Sequence, residues 1–167
     1  MAAIEMEGQQ VNAQENAQIQ KNFQQRLDVS DKVIRENYAE IKDEILKRLQ
    51  QVEKEHAVRI VLAIESGSRA WGFASSNSDY DVRFIYARPK EWYLRVDLEE
   101  MRDVIEYPIV DDIDLNGWDI RKALRLFGKS NPAFVEWIQS PITYIETGCF
   151  RKSALEVLPT LYSVEKG

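Results

Sequence analysis

The chain is 167 residues long and carries 22 Lys and Arg against 28 Asp and Glu, a formal net charge of −6. That length suffices for one domain with its own core, and the acid excess excludes a broad, sequence-blind grip on nucleic acid, where clustered Lys and Arg would dominate the surface. A lone cysteine, Cys149, excludes an internal disulfide framework, and a single histidine excludes histidine-based zinc sites.

Residues 1 to about 27 are rich in Gln, Asn and Ala with almost no apolar periodicity. They read as a disordered arm or a loosely attached helix, leaving 28–167 as the domain. Glu5 and Glu7, with no apolar core segment beside them, do not form a signal peptide, and no apolar run approaches the roughly 20 residues that span a membrane. A cytoplasmic protein that does not cross a membrane is the expectation. From Ser30, a suitable N-cap, Ile34, Tyr38, Ile41, Ile45, Leu49 and Val52 recur at three- and four-residue intervals, which predicts an amphipathic helix covering one face of a sheet. His56 falls at its end and reads as a solvated or helix-terminal histidine.

Strands follow near 58–64, where Ile60-Val61-Leu62-Ala63-Ile64 is an apolar run, and near 79–86. Arg88-Pro89 leads into Trp92-Tyr93-Leu94, a turn or short helix, and Val104 to Tyr107 and Ile113 to Leu115 read as strands around Pro108. A helix is predicted from Trp118 to Phe127, stopped by Gly128; Asn131-Pro132 caps and opens another that reaches about Gln139 before Ser140-Pro141 ends it. Trp118 and Trp137 are expected in the core. Arg121, Arg125 and Lys129 share one helix face, either as a solvated stripe or as a contact for triphosphate or acceptor, with Lys129 favoured for the latter because it lies at the helix end.

The segment between the first two strands carries the chemistry. Gly67-Ser68 makes a tight exit from the first strand, and Asp79 and Asp81 open the second, one residue apart and so on one face. Carboxylates converging to about 5 Å at an effective dielectric near 20 repel by roughly 3 kcal/mol. A hard divalent cation removes that penalty. Oxygen-only ligation suits magnesium, which keeps several waters and shares its remaining positions with substrate phosphates. Gly67 lets backbone approach a ligand closely, and the N–H groups that follow favour an anion if Ser68 to Trp71 open a helix. Turn capping by Asn77-Ser78-Asp79 is the competing account, and it leaves Asp81 unexplained.

Glu65-Ser66-Gly67-Ser68-Arg69-Ala70-Trp71-Gly72-Phe73-Ala74 through Ser78-Asp79-Tyr80-Asp81-Val82-Arg83-Phe84 resembles the nucleotidyltransferases of the DNA polymerase beta superfamily. The likeness is greatest to a bacterial and phage group of predicted nucleotidyltransferases, some of which accompany RNA-repair ligases. Ile113-Asp114-Leu115-Asn116-Gly117-Trp118, Lys129-Ser130-Asn131-Pro132, Glu136-Trp137 and Ser140-Pro141 are similar to that group's second motif block, so the resemblance spans about residues 58 to 145. It implies an α/β (α+β) fold of the polymerase-beta type, a mixed sheet flanked by helices, and a third acid on a neighbouring strand. Asp114, between Ile113 and Leu115, matches that third position, with Asp112 two residues away as the alternative.

The same resemblance implies the activity: transfer of a nucleoside monophosphate from a nucleoside triphosphate, ATP favoured, to an acceptor hydroxyl with release of pyrophosphate. Asp79, Asp81 and Asp114 would be the catalytic and metal-binding residues, holding two magnesium ions or manganese in their place. Gly67, Ser68, Arg69 and Lys129 would bind the nucleotide, although Arg69 and Arg83 are equally suited to salt bridges with the local acids. The acceptor is not specified; an RNA 3′ end, a protein hydroxyl and a small molecule are all compatible with the charge. Members of the group are longer, with more helix after the region matching Pro141, so part of the acceptor surface is expected from a further C-terminal part or a protein partner. Two other classes compete: a non-catalytic nucleotide-binding regulator of the antitoxin-like kind, and a structural cation site in an interaction protein.

Overall fold

The computed structural model describes residues 2–75 and 77–161, with side chains from 14 onward. Residues 162–167, part of the expected domain, lie outside the described residues. The chain divides into two compact units, 1–43 and 44–167.

Helix α1 runs Ala2–His56. Its start corrects the predicted N-cap at Ser30: no glycine or proline interrupts residues 9–56, and Ala, Gln, Glu and Lys are good helix formers, so the serine meets no chain break to cap. In the first unit Ile19, Phe23 and Ile34 are exposed and Ile41 is half-buried. In the second unit the predicted stripe is realised, with Ile45, Leu49 and Val52 buried. Ala57, at φ 51°, breaks the helix, and His56 at its end lies half-buried with Nε2 2.9 Å from the Tyr107 hydroxyl.

The second unit is built on a five-stranded sheet: β1 (Arg59–Glu65), β2 (Tyr80–Ala87), β3 (Val104–Glu106), β4 (Ile113–Asp119) and β5 (Thr143–Glu146), in the order β3-β4-β2-β1-β5. β2 and β4 are parallel and the other pairs antiparallel, the expected mixed α+β arrangement. Two short 3-10 turns, Lys90–Leu94 and Leu98–Glu100, fill the path to β3. β5 is too short to announce itself by alternation; it forms because the edge of β1 offers it a ladder, with Ala63 opposite Ile145.

Helices α2 (Ile120–Gly128), α3 (Pro132–Gln139) and α4 (Phe150–Leu161) pack against the sheet. The predicted start of α2 at Trp118 is two residues early. Trp118 and Asp119 complete β4, and the Asp119 carboxylate caps the helix by accepting the Arg121 N–H at 2.8 Å. α3 opens as predicted, with Asn131 accepting from the Phe134 N–H and Pro132 in its first turn. The core joins Leu62, Ile64 and Ile85 of the sheet to Ala123, Phe127, Phe134, Trp137, Ile138 and Ala154 of the helices. Trp118 stacks on Trp137 with centroids 3.7 Å apart, so both tryptophans serve the core. Among the described residues no helix is long and apolar enough to cross a membrane.

Phe84 and Gly117 are register partners across β2 and β4, and a Cβ on Gly117 would lie 2.1 Å from the Phe84 ring. Gly117→Ala is therefore expected to cost about 1–3 kcal/mol in urea unfolding through overpacking. Gly128→Ala, whose Cβ would meet nothing within 4 Å, should unfold at or above the wild-type midpoint.

Candidate functional site

Parallel pairing sets the geometry. Asp81 of β2 stands directly opposite Asp114 of β4, and Asp79 precedes β2 by one residue. Arg83, two residues beyond Asp81 and on its face, lies between the two carboxylates: Nη2 donates to Asp114 Oδ2 at 2.7 Å and lies 3.6 Å from Asp81 Oδ1. Asn116, two residues beyond Asp114, donates to Asp114 Oδ1 at 2.7 Å. Two of the three predicted acids, Asp81 and Asp114, are thus brought together, with a cation already between them. Among the described residues no group of three or more His, Cys, Asp and Glu is arranged to hold a metal ion as it stands.

Gly67 has a specific reason to be glycine, since a Cβ there would sit 1.8 Å from Asp81 Oδ2. The carboxylate lies over the bare Cα, and the Ser66 N–H to Asp81 carbonyl bond at 2.8 Å clamps the two segments together. Beyond Gly67 the condition of a helix from Ser68 to Trp71 is not met. Ala70 donates to the Gly67 carbonyl, Trp71 and Phe73 both to that of Ser68, and Gly72 at φ 79° turns the chain away. This closes one tight turn; any anion would meet individual N–H groups and not a helix dipole.

The remaining predicted residues divide. Arg69 braces the loop: Nη2 donates to the Ser78 carbonyl at 2.5 Å, its guanidinium stacks 3.9 Å over the Tyr80 ring, and its buried Nε has no partner. Lys129 is the C-cap of α2, its backbone N–H donating to the Leu126 and Phe127 carbonyls. Arg121 and Arg125 both bind Glu99, so that part of the stripe is a solvated ion-pair face. Asp111 pairs with Arg48 at 2.7 Å. Asp111 and Asp112 are both left-handed, at φ 53° and 59°, so strand alternation does not reach back to Asp112, and Asp114 is the acid set beside Asp81.

Sequence reasoning gave Arg83 and Asn116 no settled part in the site, although each lies two residues from an acid in a strand, the spacing that puts side chains on one face. Glu65 has a structural part. Buried at 1% exposure, it accepts the Asp81 N–H at 2.8 Å and the Tyr144 hydroxyl at 2.9 Å, fixing the backbone that carries Asp81. Burial pushes the Glu65 carboxyl pKa up, with those two hydrogen bonds opposing. Asp81 is also raised, by burial first, with Asp114 and Asp79 adding to it and Arg83 opposing.

A family model described as RlaP, RNA repair pathway DNA polymerase beta family, matches residues 41–166. The chain is 56% identical over 106 residues to the uncharacterized protein YcgL of Bacillus subtilis (strain 168), an overlap of 64% of this chain and 40% of that protein. It thus spans about two fifths of the length of the curated relative it matches. No solved structure matches.

A carboxyl whose folded pKa lies above its usual 3.8 holds its proton more tightly in the folded state. Its contribution to stability is present at and below that value and lost as pH rises through the folded pKa. In chelator at neutral pH, Asp81→Asn should therefore melt above wild type, the gap closing as pH falls toward the usual carboxylate range. A wild type that melts higher at neutral pH would contradict this.

Proposed function

This chain belongs to the RNA repair pathway DNA polymerase beta family, and from that premise we propose that it is a metal-dependent nucleotidyltransferase. The observation that carries the reading is the register of Asp81 with Asp114, one guanidinium nitrogen touching both. A site that needs a cation to hold its acids together, and offers only oxygen donors, fits magnesium or manganese.

In the proposed reaction Asp79 and Asp81 would hold a metal-bound triphosphate, and both with Asp114 would hold a second ion. Bound metal supplies two effects: it lowers the pKa of the acceptor hydroxyl and offsets charge on the departing pyrophosphate. The Gly67-Ser68 turn directs N–H and hydroxyl groups at the outer phosphates, with Lys129 at the margin. The acceptor oxygen attacks the α-phosphorus and the bond to pyrophosphate breaks. Glu65 fixes Asp81 from behind. ATP is the favoured donor and an RNA end the acceptor that the family suggests; any acceptor surface beyond this chain would come from a further part or a partner.

Incubation with each labelled nucleoside triphosphate, magnesium and RNA or fractionated cell extract should transfer label and release pyrophosphate. Asp81→Ala and Asp114→Ala should each lower the rate by about a thousandfold, the equivalent of about 4 kcal/mol of lost charge stabilisation. Near-normal turnover of either variant contradicts the mechanism. Triphosphate binding without pyrophosphate release from any acceptor would favour a regulator that kept the pocket.

A further inference from the structure

Arg83 is held more firmly than a surface counter-charge needs. Besides its hydrogen bond to Asp114 Oδ2 and its 3.6 Å approach to Asp81 Oδ1, its guanidinium donates through Nη1 to the Val82 and Asp114 carbonyls, each at 3.1 Å. Its side chain is 19% exposed and that of Asp114 17%. The arginine thus occupies the inner end of the acid cluster, the region that the proposed function assigns to a metal ion. A bare divalent ion approaching Asp81 and Asp114 must displace this cation or sit against it, and the two repel at short range. A metal that arrives on a triphosphate differs, because it brings anionic oxygens with which a planar guanidinium forms bidentate hydrogen bonds.

We propose that Arg83 is the exchangeable cation of this site: it holds Asp81 and Asp114 together before substrate arrives, and it yields them only to a metal that comes with a polyphosphate to receive its guanidinium. The consequence is coupling. Metal and triphosphate bind the wild type far better together than apart, and the coupling is reciprocal. This inference rests on the nucleotidyltransferase reading and deepens it, naming the residue that makes the site select metal-bound polyphosphate over free metal.

The test measures binding alone. Manganese is titrated into wild type, Arg83→Gln and Arg83→Lys, with free ion followed by electron paramagnetic resonance, first by itself and then with a non-hydrolysable ATP analogue. Arg83→Gln should bind bare manganese about tenfold more tightly than wild type and gain less from the analogue, while Arg83→Lys, which keeps the charge and loses the bidentate fork, should stay weak for bare manganese and also gain less from the analogue. A folded Arg83→Gln that binds bare manganese no better than wild type overturns the proposal. In the wild type, the Arg83 guanidinium nitrogen resonance should shift on adding magnesium with the analogue and not with magnesium alone. An unmoved resonance in that complex overturns the proposal even where the variants fail to fold. A wild type that binds neither metal nor analogue overturns both this inference and the nucleotidyltransferase reading; coupled binding with an indifferent Arg83→Gln overturns this inference only.

Discussion

Two carboxylates in register on adjacent parallel strands cannot stay there without a positive charge between them. Asp81 and Asp114 are held in that relation by the β2–β4 ladder, and repulsion of roughly 3 kcal/mol at about 5 Å is large against the 5–15 kcal/mol that stabilises a domain. The neighbouring details answer to this constraint. Arg83 supplies the charge, Asn116 holds one Asp114 oxygen, the bare Cα of Gly67 leaves room for the Asp81 carboxylate, and Glu65 pins the Asp81 backbone from inside the sheet.

The rest of the second unit keeps that ladder rigid. On β4 the same alternation that presents Asp114 and Asn116 delivers Trp118 to the helices, where it stacks on Trp137 of α3. Opposite faces of a strand serve different ends, and Gly117 shows it: the glycine admits the Phe84 ring from β2 and lets the two strands close without a gap. Ser140, at the end of α3, donates to the Glu65 carbonyl at 2.5 Å. Helix packing is thereby joined to the backbone that carries the acids. Precision at the site depends on a core that none of the acids touches.

Much of this was legible in the residues. The apolar run that became β1, the i, i+2 spacing of Asp79 and Asp81 and the Asn131-Pro132 opening of α3 all express rules that act over a few residues, while the choice of Asp114 came with the family resemblance. What escaped depends on partners distant in sequence or on a missing stop signal. β5 exists because β1 has a free edge, and the segment after Gly67 closes as a turn, with Gly72 in a left-handed conformation, where a helix start was only a condition. α1 ran past Ser30 because nothing in the Gln-rich segment ends a helix. Salt bridging by Arg83 to local acids was open from the sequence; that it joins Asp81 to Asp114 needed the strand register, which no single strand encodes.

Family membership suggests the reaction class at a coarse level, and the proposed site offers a reason for it: hard oxygen donors, a close-approach glycine and, in Arg83, the cation we propose to be exchanged. The most direct measurement is a crystal of the protein grown with manganese and a non-hydrolysable ATP analogue, with the metal located by anomalous scattering. The account predicts manganese about 2.0–2.2 Å from oxygens of Asp81 and Asp114, phosphates against the Gly67-Ser68 turn, and Arg83 moved onto a phosphate oxygen. Nucleotide bound elsewhere, or manganese remote from both aspartates with Arg83 still between them, would contradict it.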